Sequence, residues 1–572
     1  MRRAIALGGV AAAVSMVVAG ISAATPAMAS GPTNGGTAVI GLASQTSPNW
    51  FFPAESVQTE LSVNSMVNSM DYLPLVYFGP NNTLSTFNGL ASKVSYNKSG
   101  TVYTVYINPK WHWSDGRPVT AQDVVFTYNI MKAGSNPKAN YAWSYGGQGS
   151  GGMPQDWKSV VAKNAHTVVI TTTKPVNQQW FIRNGIGQII PVPSFIWNKY
   201  PTNIAKEMKF IQSISNSPGN KAYQVVDGPW VFQSMAPNQN WTYVKNSRYD
   251  GPKAHLNKVI FQYETSNAAE FEALRNGTLN YGYLPASMVK DKSELPNDRI
   301  VPQYNLNFNY IQINMGFHAP GNIGKAFREL AVRQALQMGV DEQGIIKTIW
   351  HGYGALDDTV IGQKPANVFV DPQLSKLVYP FNPAQGKKIL EKAGWRMKNG
   401  VMTKNGVKLE FNFYCASGDT SYDNIDQLLQ QDWKKEGIIA KIVYQPFNTV
   451  ASYSASDGNK WQVLNWDGGW GYSSAYPSGG LLFSTGAAMN SAAYNSKKMD
   501  QLINATYAPA SPQKAIQNMY AYEAYAAQQL PGVIYLPEQP TLTVVAKNLH
   551  NALKTFNPIG GWIFPNVWWI SK

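Results

Sequence analysis

The chain is poor in cysteine, in histidine and in charge. One of its 572 residues is a cysteine, Cys415, and only 14% are Asp, Glu, Lys or Arg. A single thiol excludes an intramolecular disulfide and a cysteine-built zinc site, so stability must come from core size. The six histidines form no close pair and no HExxH motif, and a GxSxG nucleophile elbow is also missing. Ser511-Pro512-Gln513-Lys514 fits the SxxK of penicillin-binding enzymes, but their SDN and KTG motifs are absent. No fixed-period repeat runs along the chain, which excludes solenoid architectures.

Long apolar runs are also lacking, with one exception at the start. Met1-Arg2-Arg3 is cationic, residues 4–24 are uncharged and rich in Ala, Val and Gly, and Ala27-Met28-Ala29 ends in a small-x-small pattern. This is the grammar of a signal peptide, with cleavage expected after Ala29. The alternative is an uncleaved anchor, against which stand the weak hydrophobicity of the run and Pro26. No cysteine follows the cleavage point, so no lipid anchor is expected there. Without Arg2 and Arg3 the net charge of +14 becomes +12. The cations look scattered, none denser than pairs such as Lys387-Lys388, Lys434-Lys435 and Lys497-Lys498, so nucleic acid is not an expected partner.

What is present is a globular composition, 44% hydrophobic, in a chain long enough for two to four domains. TAVIGLA (37–43) and TVYTVYI (101–107) are expected strands. Asn382 and Pro383 start a helix that carries Ile389, Leu390 and Ala393 on one face and stops at Gly394. Residues 424–436 form another helix, with Ile425, Leu428 and Leu429 at helical spacing before Gly437 and the strand-like IIAKIVYQ. Helix, glycine, strand is α/β grammar. The glycine-rich YGGQGSGG (145–152) lacks the Lys-Ser/Thr of a phosphate loop and is expected to be a surface loop.

WHWSDG (111–116) places His112, Ser114 and Asp115 almost side by side. Neighbours on an extended chain point to opposite faces, so these three cannot form a catalytic relay among themselves. Asp115-Gly116 reads instead as a turn, and Thr120 as a helix cap with Asp123 three residues on. Val124, Val125, Tyr128 and Met131 then supply the helix's apolar face.

WHWSDGRPVTAQDVVFTYNIMK closely resembles the signature of the family 5 extracellular solute-binding proteins, receptors that feed peptides, nickel or oligosaccharides to ABC importers. The pattern Trp-Ser-Asp-Gly-x-Pro-Val-Thr-Ala-x-Asp-Val is matched from Trp113 to Val124. Further similar stretches follow in order: VVDGPWVFQSM (225–235), NAAEFEALRNGTLNYGYL (267–284), VRQALQMGVDEQGI (332–345), FNPAQGKKILEKAGW and LQQDWKKEGIIAKI.

The resemblance implies an α/β fold, a type II periplasmic-binding-protein-like clamp of two lobes in its large three-subdomain form. After a signal peptide over 1–29, lobe I would comprise 30–71, an extra subdomain 72–224, then 225–305 and 538–572, and lobe II would be 306–537. It implies a peptide-like solute, with an oligosaccharide or other neutral solute as the alternative, and ABC importer membrane subunits as partners. A monomer without cofactor, metal or catalytic residues is expected. A secreted hydrolase on the same clamp is the contrasting class, and no nucleophile–base pair in the sequence supports it. A surface adhesin would need repeats or anchoring motifs, which are missing.

In peptide-binding members of that family a Gly-Trp-x-x-Asp segment lines the cavity, and its aspartate receives the peptide's amino terminus. GGWGYSSAYPSGG (468–480) resembles it, with Gly469, Trp470, Gly471 and Tyr472 in place but Ser473 where the aspartate is expected. Asp467, three residues before Trp470, is the candidate substitute, because a buried ammonium needs a charge partner. Trp50, Glu55 and Tyr141 complete the expected ligand-binding set.

Overall fold

A computed structural model describes residues 31–79, 84–136, 138–454, 458–472, 474–559, 561 and 563–571. The leader with its Ala29 cleavage point, and Ser473, lie outside the described residues.

Two large sheets organise the chain. The first runs in the order Asp298–Gln303, Thr541–Ala546, Tyr281–Tyr283, Thr37–Gly41, Lys258–Gln262, Asn240–Lys245, Trp230–Ala236. The second runs Ile439–Gln445, Glu410–Ala416, Val463–Asn465, Asn307–Ile313, Gly469–Gly471, with Val533–Leu536 also paired to Asn307–Ile313. Thus 304–306 carry the chain from the first sheet to the second, and 537–540 carry it back. The two expected strands form at Thr37–Gly41 and Val102–Ile107. The latter lies in a separate four-stranded antiparallel sheet with Ala91–Tyr96, Thr167–Thr172 and Trp157–Asn164.

The expected helices form with their caps. Asn382 accepts the Gln385 N–H at the start of Pro383–Lys392, and Gly394 has φ +91° at its end, a left-handed conformation open to glycine. The next helix begins earlier than its apolar spacing suggests, at Thr420, because Asp419 accepts the Ser421 N–H and so caps it four residues upstream. The SxxK match is a cap too: the Ser511 hydroxyl accepts the Lys514 N–H at the start of Pro512–Gln529.

The WHWSDG stretch is a structural knot. The His112 ring and backbone N–H both meet Asp250, the Ser114 hydroxyl donates to the Gln224 carbonyl, and Asp115 accepts the Arg117 N–H. Asp123, 1% exposed, accepts from the Thr120 N–H and hydroxyl, from the Trp113 indole, and from the Ser194 N–H and hydroxyl. One carboxylate thereby caps Ala121–Gly134, holds a buried tryptophan and anchors the 194 turn. Its helix buries Val124, Tyr128 and Met131 as the spacing requires, and Tyr128 stacks on Trp157 at 5.4 Å. Replacing Asp123 by Ala leaves these donors unanswered in a dry interior. The expected loss is about 3 kcal/mol, read by denaturant unfolding, with Asp123→Asn recovering part of it.

Candidate functional site

The described lobes approach each other along two lines. On one, Trp180 of the subdomain stacks on Tyr507 at 4.1 Å, and the Asn177 N–H donates to the Tyr507 carbonyl. Beside it, the Asn184 amide donates to the Tyr476 carbonyl at 3.2 Å and accepts from the Ser474 hydroxyl at 3.1 Å. On the other, Ser47, Pro48 and Asn49, in the loop after the first strand, share a hollow of about 350 Å³ with Asn448 of the second lobe. Gln45 lies so near Gly418 that a β-carbon there would come within 2.9 Å of its amide.

Facing Gln45 across this line is the start of the helix Thr420–Lys435, and behind it the turn 466–468. Asn465 organises both. Its amide donates to Asp426 Oδ1 at 2.7 Å, while its carbonyl oxygen accepts the Asp467 N–H at 3.1 Å. Asp467 takes φ +61°, a left-handed turn that short polar side chains tolerate. Asp467 Oδ1 has no hydrogen-bond donor, and Asp426, wholly buried, has only the Asn465 amide and the weakly donating Cys415 thiol. None of Asp419, Asp423, Asp426 and Asp467 joins an ion pair among the described residues. Burial pushes Asp426 up to about 7, against hydrogen bonds from Asn465 and the Cys415 thiol. Burial and then its three acidic neighbours raise Asp467 well above the ordinary carboxylate range. The corner gathers four carboxyls, and its two innermost members hold their protons more tightly than free carboxyls do.

Next to that corner Gly469–Gly471 pairs antiparallel with Asn307–Asn309 on one side only, and is the edge of its sheet. A β-carbon at Gly469 would sit 1.8 Å from the Phe308 carbonyl oxygen, so the strand needs glycine to close on its neighbour. Gly471 has open space where its side chain would be. Trp470 pairs opposite Phe308 and is half-buried, and Trp466 stands edge-on to Tyr310 at 5.2 Å. Tyr472 is buried, its hydroxyl donating to the Val360 carbonyl.

The expected residues therefore divide between two places. Asp467, Gly469, Trp470, Gly471 and Tyr472 share one stretch of the second lobe. Glu55 is buried, accepting from the Leu61 N–H and the Ser65 hydroxyl, and is raised by burial and then by Glu60. Trp50 is 4% exposed, donates from its ring to the Ala54 carbonyl and packs edge-on to Trp143. Its ring meets protein. Tyr141 is half-buried against the same core. Sequence reasoning missed Asp419, Asp423 and Asp426, although their spacing of four and three places them along one side of a helix. Among the described residues no group of three or more His, Cys, Asp or Glu could hold a metal, and no helix is long and apolar enough to cross a membrane.

The profile of the bacterial extracellular solute-binding proteins, family 5, matches residues 87–490. The chain belongs to that family. It is 24% identical to the oligopeptide-binding protein AppA of Bacillus subtilis over 354 residues, 62% of this chain and 60% of that one. It is 22% identical to the oligopeptide-binding protein OppA of Lactococcus lactis subsp. lactis over 552 residues, 89% of this chain and 87% of that one. In three dimensions it is similar to AppA solved in complex with a nonapeptide, at TM-score 0.80 and 21% identity, covering 95% of this chain and all of AppA's. It is also similar to NikZ of Campylobacter jejuni in complex with Ni(L-His), at TM-score 0.71 and 20% identity, covering 90% and 95%. The architecture is thus the two-lobed α/β clamp, and family members are substrate-binding proteins.

Burial raises other carboxyls besides Asp426: Glu270, Glu523 and Glu538 to about 8 and Asp358 to about 6. Each lies above its unfolded value near 4, so between about pH 4 and 8 the folded chain holds more protons than the unfolded one. Stability present in acid is then lost as pH rises through the folded values. The melting temperature is expected to fall between about pH 5.5 and pH 8.5, and Glu538→Gln, which removes one of these protons, to make that fall shallower. A melting curve rising over the same interval would contradict the assignment.

Proposed function

We propose that this protein captures a peptide-like solute between its two lobes and passes it, chemically unaltered, to the membrane subunits of an ABC importer. The observation that carries this reading is the unneutralised pair Asp467 and Asp426 beside the unpaired edge of Gly469–Gly471. A strand edge offers backbone donors and acceptors to an extended peptide, and a half-buried carboxyl backed by a buried one offers the partner that a terminal ammonium needs. The names of AppA and OppA support the solute class. A solute reaching both Gln45 and the 466–472 stretch favours the closed state by its contacts with each lobe. The half-buried rings of Trp466 and Trp470 would also suit a sugar, but a neutral sugar leaves the carboxylates unanswered.

The same reading keeps lobe I as 30–71, 72–224, 225–305 and 538–572 and lobe II as 306–537, in keeping with the strands each sheet recruits. It takes the mature chain to begin after Ala29 and to act as a monomer, without lipid anchor, cofactor or catalytic turnover.

Calorimetry with one short peptide in free-amine and N-acetylated forms tests it. Acetylation is expected to weaken binding at least tenfold, about 1.4 kcal/mol, and Asp467→Asn to erase most of that difference. The pH profile has a defined sign. A carboxyl protonated in the empty site must ionise to meet the ammonium, so affinity strengthens as pH rises through about 7, the value of Asp426. It weakens again as the amine itself deprotonates, at about 8. Acetylated peptides or oligosaccharides that bind as tightly as the free-amine form would overturn the reading.

A further inference from the structure

We propose that the face of the second lobe opposite the cleft is a docking surface for an anionic membrane, which holds the receptor at the bilayer carrying its transporter. The premise of a transporter rests on the function proposed above; the surface itself does not depend on what the cleft binds.

The helix Pro383–Lys392 and the three short antiparallel strands Arg396–Lys398, Val401–Lys404 and Val407–Lys408 carry seven cations over residues 383–408, against one acid, Glu391. The fold adds two more from far along the chain. The Met402 N–H donates to the Gly437 carbonyl at 2.8 Å, and Met397 lies against Gly437, which brings the end of Thr420–Lys435 with Lys434 and Lys435 onto the same face. Two lysine pairs that look scattered in sequence are thus neighbours in space.

The acids beneath this face do little to neutralise it. Asp432 pairs with Lys435 at 2.6 Å and Glu329 with Lys404 at 2.8 Å. Glu436 is wholly buried, and burial pushes it up to about 10, so it carries no charge at neutral pH. Lys388, Lys392, Lys398, Lys408 and Lys434 are exposed and join no ion pair among the described residues. Beside them opens a hollow of about 610 Å³ bordered by Lys408, Lys441 and Glu410, where Glu410 answers Lys441 in an ion pair and leaves Lys408 without one among the described residues.

A membrane fits this arrangement better than a linear polymer. The cations spread over a helix, a small sheet and a helix end rather than lining a groove. The exposed apolar groups here are Met397 and Phe381, at 41% and 38%, so the contact would be adsorption without insertion. Each lysine at an anionic bilayer adds roughly fivefold to partitioning. The acidic cleft opposes it little: Thr420–Lys435 is about 24 Å long, and Asp419 and Asp423 stand toward its far end, about three and two screening lengths away at about 8 Å each.

Co-sedimentation of the purified mature chain with vesicles tests this. The chain is expected to sediment with phosphatidylglycerol-containing vesicles at low salt, to be released by about 0.5 M sodium chloride, and to ignore pure phosphatidylcholine. Lys388→Glu, Lys392→Glu and Lys398→Glu together should cut partitioning at least tenfold while leaving the solute-induced melting shift intact. Lys497→Glu with Lys498→Glu, a basic pair elsewhere on the same lobe, should leave partitioning unchanged. If the triple reversal fails to fold, the corresponding Gln variants carry the test. Vesicle binding that survives the triple change, or binding of inorganic polyphosphate without binding of vesicles, overturns the proposal. A chain that binds vesicles but no peptide would overturn only the solute assignment.

Discussion

The clamp depends on how its two connectors are held. Residues 304–306 and 537–540 carry the chain between the sheets, and one loop of the second lobe, 354–364, grips both. Ala355 and Glu538 exchange backbone hydrogen bonds at 2.9 and 2.8 Å, and the Glu538 carboxylate accepts the Lys364 N–H. The Gly362 N–H reaches the Asn307 carbonyl at 3.0 Å, and the Lys364 ammonium lies over the Tyr304 ring at 4.6 Å. Gly362 packs so closely on Asn307 and Glu538 that any side chain would collide with them. With both connectors pinned by the same loop, few backbone torsions are left at which the angle between the lobes can change. That restriction lets a solute touching both halves set the balance between open and closed.

Glu538 is wholly buried and one of its oxygens has no donor. Such a group is tolerated because protonation removes its charge, which is why burial lifts it to about 8. The same solution recurs at Glu523 and Glu436. A chain with only 14% charged residues still buries several carboxyls, and it keeps most of them by raising their affinity for protons rather than by supplying cations.

Much of the fold was legible because its signals are local. Caps such as Asn382 and Thr120, the glycine stop at Gly394 and the alternation in TVYTVYI each constrain a few neighbouring residues, and the formed elements follow them. The misjudged start of Thr420–Lys435 marks the limit: Asp419 caps a first turn whose residues are polar, so apolar periodicity alone could not see it. The cleft was legible only in part. The 467–472 stretch stands out by its aromatic and glycine content, but the approach of Asp426 to Asp467 depends on two strands and a helix arriving together. Asn465, which joins them, carries no sequence signal of its own. Trp50 shows the converse, since a tryptophan in a loop looks like a ligand contact until packing encloses it.

The helix Thr420–Lys435 links the two electrostatic features of its lobe. Asp419 caps it and Asp423 lies in its first turn, at the positive end of the helix dipole, although burial and then Asp419 still raise Asp423 above the ordinary carboxylate range. Asp426 lies a turn further in, beyond most of that influence and out of water, and is raised to about 7. At the other end Lys434 and Lys435 oppose the negative end of the dipole. The helix therefore favours acid at the cleft and base at the far face, whatever either end binds.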